Sequence, residues 1–272
     1  FTESVCIKYL HRRVKMISST SNIKVKNIIN LKKSAKARKK ENCFLVEGPR
    51  MCFEIPRDRV MECYLTEEFA GKYDKELRGW NYELISENVC RHLSDTKTPQ
   101  GVIAVVRREE PDIGELINKE KNPCFFLLES LQDPGNLGTI LRMGEGAGVT
   151  GVVMSSNTVD IYNPKTIRST MGSIFRVPFV YVQDFSEAVS QCQNAGIKVY
   201  AAHLDGKNTY LGEDYREGTA FLIGNEGNGL TDDIAKQADT LIRIPMQGEV
   251  ESLNAAIACT ILTYEAVRQR SV

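Results

Sequence analysis

Three stretches in the second half of the chain gather the side chains best suited to hold and align a polar ligand. They are Asp133-Pro134-Gly135-Asn136-Leu137-Gly138-Thr139-Ile140-Leu141-Arg142, Leu222-Ile223-Gly224-Asn225-Glu226-Gly227-Asn228-Gly229-Leu230, and Ile244-Pro245-Met246-Gln247-Gly248-Glu249-Val250-Glu251-Ser252-Leu253-Asn254. In the first, Pro-Gly makes a turn and Asn136 can cap the helix that follows. Asn136 and Arg142 lie about 600° apart around a helix, roughly 120° short of full turns, so they share no tight stripe. They can still converge on a ligand at the helix N-terminus, where backbone amides favour an anion. The plainer alternative is an Asn cap and a surface Arg.

In the second stretch Gly224, Gly227 and Gly229 permit positive φ angles and close backbone approach. It lacks the Gly-Lys-Ser/Thr ending of a phosphate loop and does not match Gly-x-Gly-x-x-Gly, and Gly144-Glu145-Gly146-Ala147-Gly148 follows a helix rather than a strand. With Glu226 in its middle, the second stretch does not invite phosphates. The third ends a strand in Pro and Gly and re-enters a helix through Ser-Leu-Asn, leaving backbone groups and short polar side chains at the mouth of a sheet. Open α/β folds bind ligands there. The plainer alternative is an ordinary strand-to-helix turn capped by Ser252.

Such loops need a sheet to present them. Apolar runs predict strands over 124–129, 151–155, 177–182, 198–202, 220–224 and 241–245, alternating with helices over 137–147, 164–173, 185–194, 231–238 and 253–270. Strand–helix alternation of this kind argues for a largely parallel sheet. Upstream, strands over 44–48, 60–65, 82–85 and 101–106, with helical pieces from Pro49, over 70–78 and over 87–93, predict a smaller α/β domain. The division is then 1–15 as a leader ahead of Met16, 16–107 as a first domain, 108–122 as a charged linker with one helical stretch over 113–119, and 123–272 as a second domain.

Composition fits a globular chain, at 42% hydrophobic and 26% charged residues. No run approaches the roughly 18 apolar residues of a membrane span, so the default expectation is a cytoplasmic protein without a membrane partner. The eight cysteines are scattered, none forms a Cys-x-x-Cys pair, and His11, His92 and His203 build no cluster with them. They are expected to be reduced and structural, with Cys6 as an exposed exception, and no metal site is expected. The net charge of zero hides an asymmetry. Residues 1–40 hold twelve Lys or Arg against Glu3 alone, a segment near +11 facing a remainder near −11. Over 22–40 the pattern Ile23, Val25, Ile28, Ile29, Leu31 predicts a short basic amphipathic helix, then a lysine-rich turn. Lys32, Lys33, Lys36, Arg38, Lys39 and Lys40 there suit an anionic polymer such as nucleic acid, or else a solvated tail.

Asn136-x-Gly138-x-x-x-Arg142, Gly224-Asn225-Glu226-Gly227 with Gly229-Leu230, and Ile244-Pro245-Met246-x-Gly248 with Ser252-Leu253-Asn254 together resemble the three motifs of the SpoU (TrmH-like) RNA ribose methyltransferases of the knotted SPOUT superfamily. They stand in the family's order, each followed by a helix. Phe44-Leu45-Val46-Glu47-Gly48 and its surroundings resemble the ribosomal-protein-like substrate-binding domain that many members carry, so the likeness covers nearly the whole chain after Met16.

The resemblance implies an α/β fold with a C-terminal SPOUT domain of mostly parallel sheet tied in a deep trefoil knot, an exception to the rule that chains do not thread. It implies S-adenosylmethionine-dependent methylation of a ribose 2′-hydroxyl in RNA, with large-subunit rRNA favoured over tRNA by analogy. Carried over by motif, Gly224, Ile244 and Leu253 contact the donor, and Asn136, Arg142, Glu226, Ser252 and Asn254 form the catalytic and RNA-facing set. Methyl transfer from a sulfonium needs no metal; it needs an aligned hydroxyl relieved of its proton. A guanidinium with a pKa above about 12 is a poor base, so Arg142 is expected to hold the adjacent phosphate and polarise the hydroxyl.

The family works as a homodimer packed through C-terminal helices, and here Leu253, Ile257, Ile261, Tyr264 and Val267 offer that surface or serve the protein's own core. Within Asn163-Pro164-Lys165-Thr166-Ile167-Arg168-Ser169-Thr170-Met171-Gly172, Lys165 and Arg168 either meet an RNA backbone or form a solvated helix face. The competing reading of the whole chain is a catalytically silent RNA-binding or ribosome-assembly factor on the same fold. A nucleotide-binding dehydrogenase or kinase fails for want of a phosphate loop or dinucleotide fingerprint.

Overall fold

A computed structural model of the chain describes residues 16–271. The expected leader over 1–15, Cys6 included, lies outside the described residues. The chain opens with α1 (Ile23–Lys33), whose first turn is closed by Asn22 accepting from the Lys24 N–H at 2.9 Å, and which buries Val25, Ile28 and Leu31 at helical spacing. The lysine-rich segment after it is a second helix, α2 (Ala35–Lys40), rather than the expected turn. Ser34 restarts the helix by accepting from the Ala37 N–H at 3.1 Å.

The first domain continues through β1 (Cys43–Glu47), α3 (Pro49–Cys52), β2 (Val60–Leu65), α4 (Glu67–Lys72), β3 (Glu83–Leu84), α5 (Glu87–Leu93) and β4 (Val102–Arg107). Its sheet has the order β1-β4-β2-β3, with β4 antiparallel to both neighbours. Alternation along β1 and β4 explains why these runs are apolar throughout. Cys43, Leu45, Ile103 and Val105 face a core built with α1 and α5, while Phe44, Val46, Ala104 and Val106 face a core that continues into the second domain.

The second domain follows as α6 (Ile113–Ile117), β5 (Cys124–Leu128), α7 (Pro134–Ala147), β6 (Gly151–Ser155), α8 (Pro164–Thr170), β7 (Phe179–Val182), α9 (Phe185–Asn194), β8 (Lys198–Ala202), β9 (Asn208–Thr209), β10 (Thr219–Ile223), α10 (Asp232–Ala235), β11 (Thr240–Arg243) and α11 (Ala255–Arg270). Its seven strands, ordered β7-β6-β5-β10-β8-β11-β9, are parallel at every pairing. On one face Cys124, Phe126 and Leu128 pack with α7, α8 and α11; on the other Phe125 and Leu127 pack with α6, α9 and α10. Leu116 and Ile117 of α6 are buried in that second layer, so this part of the 108–122 run is fastened to the domain it precedes. The edge strand β9 was absent from the sequence reading, because two residues carry no periodicity.

The two domains share one apolar cluster, in which the Phe44 and Tyr162 rings stand 4.8 Å apart. Polar locks rim it. Arg38, only 4% exposed, reaches Asp160 with Nη2 to Oδ2 at 2.6 Å and donates to the Leu31 carbonyl. Arg176 bridges Glu54 of the first domain and Glu145 of the second. All seven described cysteines are buried and free, and burial pushes the Cys63 thiol up to about 12, which keeps it protonated. Among the described residues no helix is long and apolar enough to cross a membrane.

Candidate active site

Because the sheet is parallel and β10 sits beside β5, the loops after β5, β10 and β11 all leave its carboxyl edge. The first loop bends sharply. Ser130 adopts φ +55°, held by its N–H on Ser155 Oγ at 2.8 Å, and Gln132 ties it down by donating to the carbonyls of Ser130 and Asn157. The helix then starts earlier than the sequence suggested. Asp133 is the cap, accepting the Asn136 N–H at 2.8 Å, and Pro134 occupies the first helical position. Asn136 is therefore not the cap but a first-turn residue whose side chain is released from capping.

The glycine-rich loop after β10 folds onto itself. The backbones of Asn225 and Gly229 exchange two hydrogen bonds of 2.9 Å, and Asn225 Oδ1 accepts from the N–H groups of Gly227 and Asn228. A Cβ on Gly224 would stand 2.1 Å from the Gly229 carbonyl carbon, so glycine here is required by the loop's own crossing. The loop is moored to the first by Asn225 Nδ2 on the Ser130 carbonyl at 2.9 Å. Glu129, buried at the end of β5, accepts both the N–H and the hydroxyl of Thr231 at 2.8 and 2.7 Å.

Glu226 projects from this loop to the start of α7. Its carboxylate accepts the N–H groups of Gln132 and Asp133, each at 2.9 Å, and Asn136 Nδ2 at 3.0 Å. The protein's own carboxylate thus sits at the mouth of the helix, on the two amides just ahead of its first turn. Burial by itself would raise the Glu226 carboxyl, but the hydrogen bonds from Gln132, Asn136 and Asp133 outweigh it and hold the group below the ordinary carboxylate range.

The third loop brings the C-terminal helix to the same point. Asn254, not Ser252, caps α11, with Oδ1 accepting from Ala256 and Ile257 at 2.9 and 3.3 Å. Its Nδ2 donates to Asn136 Oδ1 at 2.8 Å. Asn254, Asn136 and Glu226 consequently form one directional relay that joins all three loops and ends on a carboxylate.

Other sequence candidates stand apart from that relay. Ser252 is exposed, and Ile244 and Leu253 are half-buried on either side of the loop. From Met246 to Leu253 no backbone N–H or C=O finds a hydrogen-bond partner among the described residues. Arg142 is exposed on α7 and likewise makes no hydrogen bond or ion pair among the described residues. The sequence reading gave no site role to Glu129, Gln132, Asp133, Asn225 and Thr231; of these, Asp133, an Asp directly before Pro, and Asn225, inside the glycine-rich stretch, carried a local signal. Among the described residues no group of three His, Cys, Asp or Glu side chains converges to hold a metal.

Fold and site define a two-domain α/β protein whose three polar loops meet at the carboxyl edge of a parallel sheet. The chain belongs to the SpoU rRNA methylase family, whose sequence model matches residues 123–264. An MRM3-like substrate binding domain matches residues 22–104. The chain is 34% identical over 253 residues to the 23S rRNA (guanosine(2553)-2′-O)-methyltransferase RlmP of Bacillus subtilis, covering 92% of this chain and 98% of that one. It superposes on the AdoMet-bound rRNA methyltransferase of Sinorhizobium meliloti with a TM-score of 0.83 at 30% identity, covering 94% of this chain and 98% of that one. Against the SpoU methyltransferase AviRb of Streptomyces viridochromogenes in complex with AdoMet the TM-score is 0.83 at 29% identity, covering 92% and 98%.

Proposed function

We propose that this protein methylates a ribose 2′-hydroxyl in large-subunit ribosomal RNA, using S-adenosylmethionine, while its N-terminal domain holds the RNA. The observation that carries this reading is the Asn254–Asn136–Glu226 relay, which ties the three motif loops into one site in a chain of this family. When bound, the donor supplies a methyl group on a sulfonium. The free backbone between Met246 and Leu253 fits an adenine edge, and Gly224, Ile244 and Leu253 would line that seat.

Each remaining residue has a distinct task. Asn136 and Asn254, fixed on Glu226, orient the ribose, and Ser252 adds a hydroxyl at the open rim. Glu226 stays ionised as an anchor, because its lowered pKa makes it a poor proton acceptor. Arg142 clamps the neighbouring phosphate and polarises the hydroxyl.

The protein acts as a cytoplasmic homodimer. Ile257 and Tyr264 of α11 are 49% and 48% exposed, while the opposite face buries Cys259, Leu262 and Ala266. A Cβ on Gly146 would lie 3.6 Å from the Tyr264 hydroxyl, and Arg142 is one turn before Gly146 on α7. This supports an Arg142 that flanks the dimer face and completes the partner's site. Sedimentation of Ile257→Glu is expected to give a monomer with reduced activity; an unchanged dimer would refute this interface. The close pass of the Gly206 backbone at Ile242 and Arg243, two segments far apart in the chain, supports a trefoil knot in this region.

The direct test pairs donor binding with product mapping. Calorimetry is expected to show S-adenosylmethionine binding that Gly224→Val abolishes, and rRNA from cells lacking the protein to gain one ribose 2′-O-methyl on incubation with enzyme and donor. A folded dimer that binds RNA but transfers no methyl would instead be the silent assembly factor.

A further inference from the structure

α8 packs between β1 of the first domain and the site helix α7, and its register is fixed by backbone contact. A Cβ on Gly138 of α7 would stand 2.4 Å from Ser169 Cβ and 2.8 Å from the Thr166 carbonyl oxygen, so the two helices touch two residues from Asn136. Lys165 and Arg168 are one turn apart on α8 and share a face. Lys165 Nζ stands 3.7 Å from Asp133, the cap of the site helix. Arg168 Nη1 stands 3.6 Å from Asp95 Oδ2 in the first domain. Asp95 also takes Lys32 Nζ on its other oxygen at 2.9 Å. One carboxylate thus sits between a cation of each domain, on a line leading to Asn136.

Asp95 is placed there deliberately by its loop. Glu47, at the end of β1, accepts Ser94 Oγ, Thr96 Oγ1 and the Asp95 N–H, which holds the turn 94–96 against the sheet. Lys32 has structural work besides, donating to the carbonyls of Leu93 and Ser94 that end α5. Arg168 has no other partner among the described residues and remains 39% exposed in its side chain. A carboxylate oxygen facing a guanidinium and an ammonium offers the same acceptor geometry as a phosphate oxygen.

We infer that Asp95 occupies, in the free protein, the seat of an RNA phosphate between Lys32 and Arg168, and that incoming RNA displaces it to run along Arg168 and Lys165 into the site. The inference rests on the reading of the protein as an RNA-modifying enzyme and names the path of its substrate. The rigid contact at Gly138 makes the distance from this seat to the target ribose a fixed length, so the seat sets which nucleotide reaches Asn136.

The test uses the full-length protein and unmethylated large-subunit rRNA. Arg168→Gln is expected to weaken RNA binding about fivefold and to lower the slope of log affinity against log salt by about 0.7 to 0.9, one phosphate contact. Asp95→Asn, which removes the competitor and keeps its backbone bond to Glu47, is expected to tighten binding several-fold. In the Arg168→Gln background Asp95→Asn should tighten binding less than it does in the wild type, since Asp95 then withholds Lys32 but no longer Arg168. S-adenosylmethionine affinity should be unchanged in all three. Asp95→Asn that weakens RNA binding, or acts equally in both backgrounds with melting temperature unchanged, would overturn the inference. A wild-type protein that binds RNA with this pattern but transfers no methyl would defeat the enzymatic reading and leave the phosphate seat standing.

Discussion

Asn254 donates its side-chain amide to Asn136 at 2.8 Å across 118 residues of chain, while its carbonyl oxygen caps α11. One side chain therefore starts the last helix and fixes an amide at the start of another, and the two duties are separable by substitution. Asn254→Ser keeps a capping oxygen but cannot reach Asn136; it is expected to hold stability within about 0.5 kcal/mol of wild type and to lose activity at least tenfold. Asn254→Ala should lose the activity and about 1 kcal/mol of stability as well. Thermal unfolding beside single-turnover methyl transfer distinguishes them, and equal activity in Ser and wild type would remove Asn136 alignment as its role.

Glu226 gives a pH dependence of known sign. Its carboxyl in the folded protein lies below the ordinary value of 4.5, so its contribution is fully present above that value and is lost as pH falls through the lower folded value. The wild type should therefore keep its loop order down through the ordinary carboxylate range, and Glu226→Gln should lack this acid-side loss. Urea midpoints of both proteins followed from pH 7 downward check it: their gap should narrow only below about 4.5.

Packing of α7 on α8 leaves no room for a methyl group at Gly138. With Ser169 Cβ at 2.4 Å and the Thr166 carbonyl oxygen at 2.8 Å from an added Cβ, Gly138→Ala must part the helices. We expect a loss of about 1–3 kcal/mol in chemical unfolding, despite the gain in helix propensity of about 1 kcal/mol that alanine normally brings. A stabilised variant would show that the helices separate without cost.

Arg38 tests whether the domains unfold together. It is buried at 4% exposure and bonded to both Asp160 and the end of α1, so Arg38→Met leaves Asp160 uncompensated at the junction. We expect about 3 kcal/mol of destabilisation, with one calorimetric transition for the wild type because the apolar cluster runs through both domains. Two separated transitions in the wild type would contradict the shared core. The same contact removes Arg38 from the basic surface that the sequence reading assigned to RNA, and Lys32 is half committed to capping α5.

Sequence by itself determined much of this protein. Strand–helix alternation placed nearly every strand of the parallel sheet, since fully buried strands read as unbroken apolar runs. The three polar loops were visible because Gly, Pro, Asn and Ser are selected by local backbone geometry. Tertiary structure decided what those residues do. Only the adjacency of β5 and β10 brings Glu226 onto the Gln132 and Asp133 amides just ahead of α7, turning the acid that seemed to repel anions into a carboxylate seated at the mouth of that helix. Caps moved from Asn136 to Asp133 and from Ser252 to Asn254, because several polar residues in a row satisfy a helix start equally well until another element claims one of them. Arg38 and Lys165 look alike as charges in the chain. One became a buried lock and the other stayed on the surface, because burial is settled by which elements meet, and no local pattern carries that information.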